Sequence, residues 1–180
     1  MIRRNARKPL PALWLMTDER IAPDALLAAA ARLPRGRAGV IFRHYATPPK
    51  ERRALFDRLA AIARRRRLAL MLAGSARQAA AWRADGWHGR DHRRAARPML
   101  HSAPAHDRRE IMASGAADLI LLSPLFPTRS HPGAPALGRV RFAALARMAR
   151  APVIALGGVR RDHRLHGLGA HGWAAIDGLV

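Results

Sequence analysis

The chain has 180 residues, which is enough for one domain with a sizeable core. A hydrophobic content of 49% excludes wholesale disorder, and the lack of cysteine excludes a disulfide framework, a thiolate zinc site and a cysteine nucleophile. Against 12 Asp+Glu stand 33 Lys+Arg, a net charge of +21 carried almost wholly by arginine, since Lys8 and Lys50 are the only lysines. Such a surface attracts polyanions, but an Ala- and Arg-rich chain is also what a GC-rich genome produces, and net charge informs on steering rather than on fold.

Residues 1–11 are basic and broken by Pro9 and Pro11, a pattern that fits a tail leading into a first strand better than a signal peptide. No run approaches transmembrane length, so the expectation is a cytoplasmic protein with one domain over residues 12–180. Residues 12–17 form a short apolar run closed by Asp18. Pro23 and Asp24 open a helix that ends at Pro34-Arg35-Gly36. Residues 38–42 (AGVIF) read as a second strand, with Arg43 and His44 just past it. Pro48-Pro49 starts a long helix over 50–67, with Leu55, Leu59 and Ile62 on the apolar face and Arg52, Arg53 and Arg58 expected outward.

Residues 68–72 (LALML) are a third strand, and Ser75 caps a helix over 76–83. Residues 86–88 are a very short fourth strand, 90–97 are polar and short, and 98–101 are a fifth strand. A helix begins at His106-Asp107 and ends near Ser114-Gly115. Residues 119–122 are a sixth strand, followed by a loop rich in Pro, Gly, Thr and Ser, a helix around 140–148, and a seventh strand over 153–156 closed by Gly157-Gly158. A basic helix is expected over 160–168 and an eighth strand over 172–176.

Eight apolar runs alternating with helical patterns point to an α/β fold, a trimmed (β/α)₈ TIM barrel, with its chemistry at the C-terminal ends of the strands. The last helix is missing or reduced to a turn at Asp177-Gly178. The alternative, a doubly wound open sheet, lacks a G-x-G-x-x-G after the first strand.

Several residues at those strand ends suit an anion. Gly157 and Gly158 let backbone N–H groups approach a phosphate at a helix start, or form an ordinary tight turn. Thr128, Arg129, Ser130 and His131 offer hydroxyl, guanidinium and imidazole donors, or are solvated loop residues. Arg43 suits bidentate anion binding, or is one more surface arginine. Asp18, Asp91 and Asp177 are the carboxylates available to Mg²⁺, whereas Asp85 and Asp118 begin strands at the far end and read as structural. The Arg64–Arg67 run points all around a helix axis and reads as a solvated helix end. No aromatic stacking platform or nucleic-acid motif accompanies the charge, so a nucleic-acid partner is unlikely on this reading.

With these residues placed, the chain resembles the thiamine phosphate synthase and thiazole tautomerase family. PLFPTRSHPGAPALG is similar to the family's P-[VI]-F-P-T-x-T-K-P-G-A-P-x-L-G loop, and APVIALGGV to its P-V-[VI]-A-I-G-G-[IV] strand. LWLMTD, RADGWH, GAADLILLSPLFPT and GAHGWAAI extend the likeness over nearly the whole chain. The resemblance implies a barrel that joins a pyrimidine diphosphate to a thiazole phosphate with release of pyrophosphate, using Mg²⁺ and basic residues. It implies that Arg43 holds pyrophosphate, that Thr128 and Ser130 are the loop hydroxyls, and that Gly157 and Gly158 hold the thiazole phosphate. His131 stands at the loop lysine and donates to an anion when protonated, so Arg43 and His131 are the implied catalytic groups.

The chain also departs from the family. The strand-two glutamine and lysine fall at Ile41 and Tyr45, the metal-binding Asn-Asp pair at Ala73-Gly74, and the S-x-H after strand five at Pro104-Ala105-His106. A final serine falls at Asp177, which would repel a phosphate. Asp91 alone remains of the implied metal ligands, and the tautomerase histidine falls at Pro124. Two functional readings follow: a thiamine phosphate synthase-like transferase, or a barrel that only binds a phosphorylated thiazole or pyrimidine. A third, from the charge alone, is a basic nucleic-acid-binding protein.

Overall fold

A computed structural model describes residues 9–91, 97–128, 133 and 135–180. Eight parallel strands close into a barrel in chain order: β1 (Leu13–Met16), β2 (Ala38–Phe42), β3 (Ala69–Ala73), β4 (Gly86–His88), β5 (Leu100–Ala105), β6 (Leu119–Leu122), β7 (Val153–Ala155) and β8 (Ala170–Ala175). Closure is made by β8 on β1, with Leu13 opposite Trp173. Among the described residues five helices pack outside: α1 (Pro23–Arg32), α2 (Pro49–Arg66), α3 (Ala76–Ala81), α4 (Arg108–Ala113) and α5 (Gly138–Ala146). Among the described residues no helix is long and apolar enough to cross a membrane.

Parallel strands covered on both faces are apolar throughout, and β2, β3 and β6 have that character. Residues pointing into the barrel, among them Trp14, Met16, Ile41, Met71, Leu121 and Ile154, form one core. Outward residues pack against the helices in two further clusters, one around β1–β4 and one around β5–β8. The indole of Trp14 fills the interior and donates from Nε1 to Pro11 O at 2.8 Å. Gly39 makes room for it, since a Cβ there would lie 2.3 Å from Trp14 Cζ3. At the N-terminal rim, Asp85 Oδ2 accepts from Leu70 N and Asp118 Oδ2 from His101 N, at 2.8 and 3.0 Å. Both carboxylates thus satisfy amides where strands begin, the structural role expected of them.

Several helix starts follow from local chemistry. Proline begins α1 and α2, where its missing N–H costs nothing. Ser75 caps α3 and Asp107 caps α4, each accepting from a backbone N–H three residues on.

Three expectations are corrected. Arg52 is buried rather than outward: its Nη2 donates to Arg43 O (3.0 Å) and Ala73 O (3.1 Å), and its guanidinium lies over Phe42 and Trp82. Carbonyls at the ends of β2 and β3 need donors, and a long side chain from the first turns of α2 reaches them. The fifth strand runs through Ala105, beyond the polar pair His101-Ser102. No helix forms over 160–168; turn bonds such as His163 N to Arg160 O replace it, and Gly167 and Gly169 take positive φ. Leu165 and Leu168 pack into the β5–β8 cluster from turns instead. After β8 the described chain forms a 3₁₀ turn, Asp177–Leu179.

Candidate active site

A cavity of about 820 Å³ opens at the C-terminal ends of the strands. Arg43 follows β2, Ser123, Pro124 and Phe126 to Thr128 follow β6, Leu156 to Arg160 follow β7, and Asp177 and Gly178 follow β8; all line it, as does His106 after β5. Four sequence-selected residues, Arg43, Thr128, Gly157 and Gly158, are therefore brought together. Ser130 and His131 lie outside the described residues, as does Arg129.

Arg43 is fixed from several directions. Its N–H donates to Thr17 Oγ1 at 2.9 Å, its carbonyl accepts from Arg52, and its Nη1 reaches Met16 Sδ at 3.4 Å. The side chain therefore lies over Met16, one of the residues that point into the barrel. Beneath it, His88 is buried with Nδ1 2.9 Å from Ser102 Oγ. Burial, followed by the positive charge of Arg43, pushes the His88 pKa down to about 4. His44 is also depressed, chiefly by burial; it stacks on Phe42 and its Nδ1 meets Thr17 Oγ1.

The β6 and β7 loops are laced together. Leu125 N donates to Leu156 O and Phe126 N to Gly157 O, and the Ser123-Pro124 peptide is cis. Gly157 and Gly158 have φ of 89° and 63°, and a Cβ on Gly158 would lie 2.4 Å from Pro127 O. The glycines are thus needed for two loops to touch. The expected helix start behind them is absent, so any anion there meets backbone amides and side chains without a helix dipole.

Other lining groups were not selected from the sequence. His106 Nδ1 is 2.7 Å from Glu110 Oε2, and the same carboxylate accepts from His106 N. Burial pushes the Glu110 carboxyl up, but its bonds to His106 and Arg90 outweigh this and hold it below the usual range. The H-D-x-x-E spacing after strand five was the available signal. Arg160 and His163 stand in the segment expected to be helical; His163 Nδ1 accepts from Arg160 N, and its ring meets the edge of Phe126.

The three carboxylates considered for Mg²⁺ are scattered. Asp18 is held by Arg20, with Nε and Nη2 at 2.7 and 3.1 Å from its two oxygens, and these bonds hold its carboxyl below the usual range despite burial. Asp177 lines the cavity beside Gly178. Asp91 is not a lining residue, and its carbonyl accepts from Trp87 Nε1. Among the described residues no three His, Cys, Asp or Glu side chains come together as a metal site. The described lining thus offers the implied Mg²⁺ one carboxylate, Asp177, and Ala73-Gly74 offer none at the strand end where the resemblance puts metal ligands.

Fold and cavity define the class: a (β/α)₈ barrel whose strand ends converge guanidinium, imidazole, hydroxyl and glycine groups on a space of small-molecule size. Residues 13–179 match the family described as thiamine monophosphate synthase, and the chain belongs to that family, whose function lies in thiamine biosynthesis. Among solved structures it is similar to a thiamine phosphate pyrophosphorylase from Pyrococcus furiosus, at 22% identity and a TM-score of 0.76, covering 96% of this chain and 88% of that one. A thiamine phosphate pyrophosphorylase from Bacteroides thetaiotaomicron is similar at 17% identity and a TM-score of 0.62, with 93% and 83% covered. FabK from Thermotoga maritima shares the fold at 18% identity and a TM-score of 0.68, with 94% and 59% covered. At these identities the likeness is one of fold. No curated protein matches.

Proposed function

We propose that this chain is a transferase that joins a hydroxymethylpyrimidine diphosphate to a thiazole phosphate, forming thiamine phosphate and pyrophosphate. One observation carries the reading. Arg43, Thr128, Gly157 and Gly158, which arrive from three separate strand ends, line one cavity. In the reaction, the bond between the pyrimidine methylene and the diphosphate oxygen breaks, and its electron pair leaves with pyrophosphate. The thiazole nitrogen supplies the pair for the new C–N bond. Negative charge therefore grows on the leaving group, and a guanidinium already held on both sides of its backbone meets that charge without reorganising. Thr128 donates to a substrate phosphate, and the Gly157-Gly158 turn receives the thiazole phosphate. Ser130 and His131 complete the loop's donors in this reading. No step is routed through Mg²⁺.

Incubation of the purified protein with both phosphorylated precursors, read by pyrophosphate release and by thiamine phosphate formation, tests it. Arg43→Ala is expected to lower kcat/KM about a hundredfold, the scale of losing one preorganised charge donor. Unchanged turnover in that variant would remove Arg43 from the chemistry. A second reading, a barrel that binds thiazole phosphate without turnover, is favoured by Asp177 at the cavity wall. It predicts binding with no product.

A further inference from the structure

The resemblance implies a divalent cation beside the pyrophosphate, and the residues of this chain point elsewhere. We propose that the pyrophosphate site of this barrel works without a divalent cation, the counter-charge coming from the chain's own guanidinium groups. The inference rests on the proposed function and deepens it.

The end of β3 is where the resemblance puts metal-binding side chains, and Ala73-Gly74 stand there. That end is closed by a cation instead. Arg52 donates from one nitrogen to the carbonyls of both Ala73 and Arg43, and it is buried between α2 and the strands. A guanidinium remains charged at any physiological pH, so a dication brought to this strand end would face a fixed positive charge in a poorly screened place. Position 74 cannot regain a carboxylate without strain. Its φ is 148°, a backbone conformation that residues with a Cβ rarely adopt. The Asp18 carboxylate is taken by both arms of Arg20.

The described lining of the cavity holds the guanidinium groups of Arg43 and Arg160 and the imidazoles of His106 and His163, with one carboxylate, Asp177. His106 is further oriented by Glu110, which also pairs with Arg90. Mg²⁺ is usually held by one or two carboxylates besides the phosphate oxygens, and Asp177 is the one carboxylate the described lining offers it. Guanidinium needs only the oxygens, and takes two at once.

Calorimetric titration of the whole chain with sodium pyrophosphate, at constant ionic strength, separates the cases. One arm contains EDTA and the other excess Mg²⁺. Binding in EDTA is expected, with an affinity that Mg²⁺ leaves within about threefold or weakens. Arg43→Ala is expected to weaken it at least tenfold. Arg43→Lys keeps the charge without the fork and should fall between. Arg65→Ala, a change at the opposite end of the molecule, should leave it unaltered. Binding that appears only with Mg²⁺, or tightens tenfold with it, overturns the metal-free site while leaving the proposed function standing. No binding in either arm overturns the proposed function and this inference with it. Equal losses in Arg43→Ala and Arg65→Ala would reduce the binding to general attraction by a chain of net charge +21 and overturn the site. Circular dichroism and thermal melts of each variant exclude loss by unfolding.

Discussion

The buried histidine beneath the site makes a quantitative prediction. His88 has a folded pKa of about 4 against 6.5 when unfolded. The folded protein therefore binds fewer protons than the unfolded chain between those values, and stability must fall as pH drops through that window. The contribution is fully present above pH 6.5 and is lost as pH approaches 4. Between pH 7 and pH 4.5 the two titration curves differ by about 2.5 kcal/mol, using 1.36 kcal/mol per pKa unit. For a urea slope of roughly 2 kcal/mol/M, that is about 1 M in the unfolding midpoint. His88→Asn keeps a polar partner for Ser102 and removes the titration. Urea unfolding of both proteins at the two pH values isolates the effect, because other groups, His44 among them, titrate in both. The wild type is expected to lose about 1 M more than the variant on acidification. Parallel losses would show that His88 takes up its proton without resistance from burial or Arg43, and the reasoning about the barrel floor would fail.

Gly158→Ala places a Cβ against Pro127 O at a left-handed backbone position. The backbone term alone costs about 1–3 kcal/mol, so a lower urea midpoint and weaker thiazole phosphate binding are expected together. Arg52→Met keeps the buried stem but strips the donor from two carbonyls. It should cost about 2–4 kcal/mol in urea unfolding, and a loss below 0.5 kcal/mol would mean that water replaces the guanidinium readily. Gly39→Val drives a side chain into the Trp14 indole, and it should prevent a cooperative thermal transition where Gly36→Ala, with open space around it, does not.

Strand existence was legible wherever apolar residues filled both faces. Residues 38–42, 86–88 and 119–122 coincide with β2, β4 and β6 because Gly, Asp or Ser marks their ends. The fifth strand was cut short because its inward residue Ser102 is polar and pairs with His88, so hydrophobicity stops reporting the strand where the barrel approaches its site. Helical periodicity assigned Arg52 to solvent, since a helix pattern is blind to carbonyls waiting at the ends of strands. The basic segment after β7 had the composition of a helix, but its Leu165 and Leu168 pack from turns. Of the site, Arg43, Thr128 and the glycine pair were legible from their places after strands. His106, Arg160 and His163 were not, because only closure of the barrel brings the ends of β5 and β7 to the same opening.

The connection between β7 and β8 runs through turns instead of a helix, which leaves that wall of the barrel thinly covered among the described residues. Whereas β2 is buried at every position, β8 is buried only at its last two. Its amides are protected by pairing with β7 and β1 alone, so in deuterium exchange they should open ahead of β2 and β3. Asp177 and Gly178 ride on that thinly covered strand. A ligand that fills the cavity would be felt there first as slowed exchange, which makes β8 the barrel's natural reporter of occupancy.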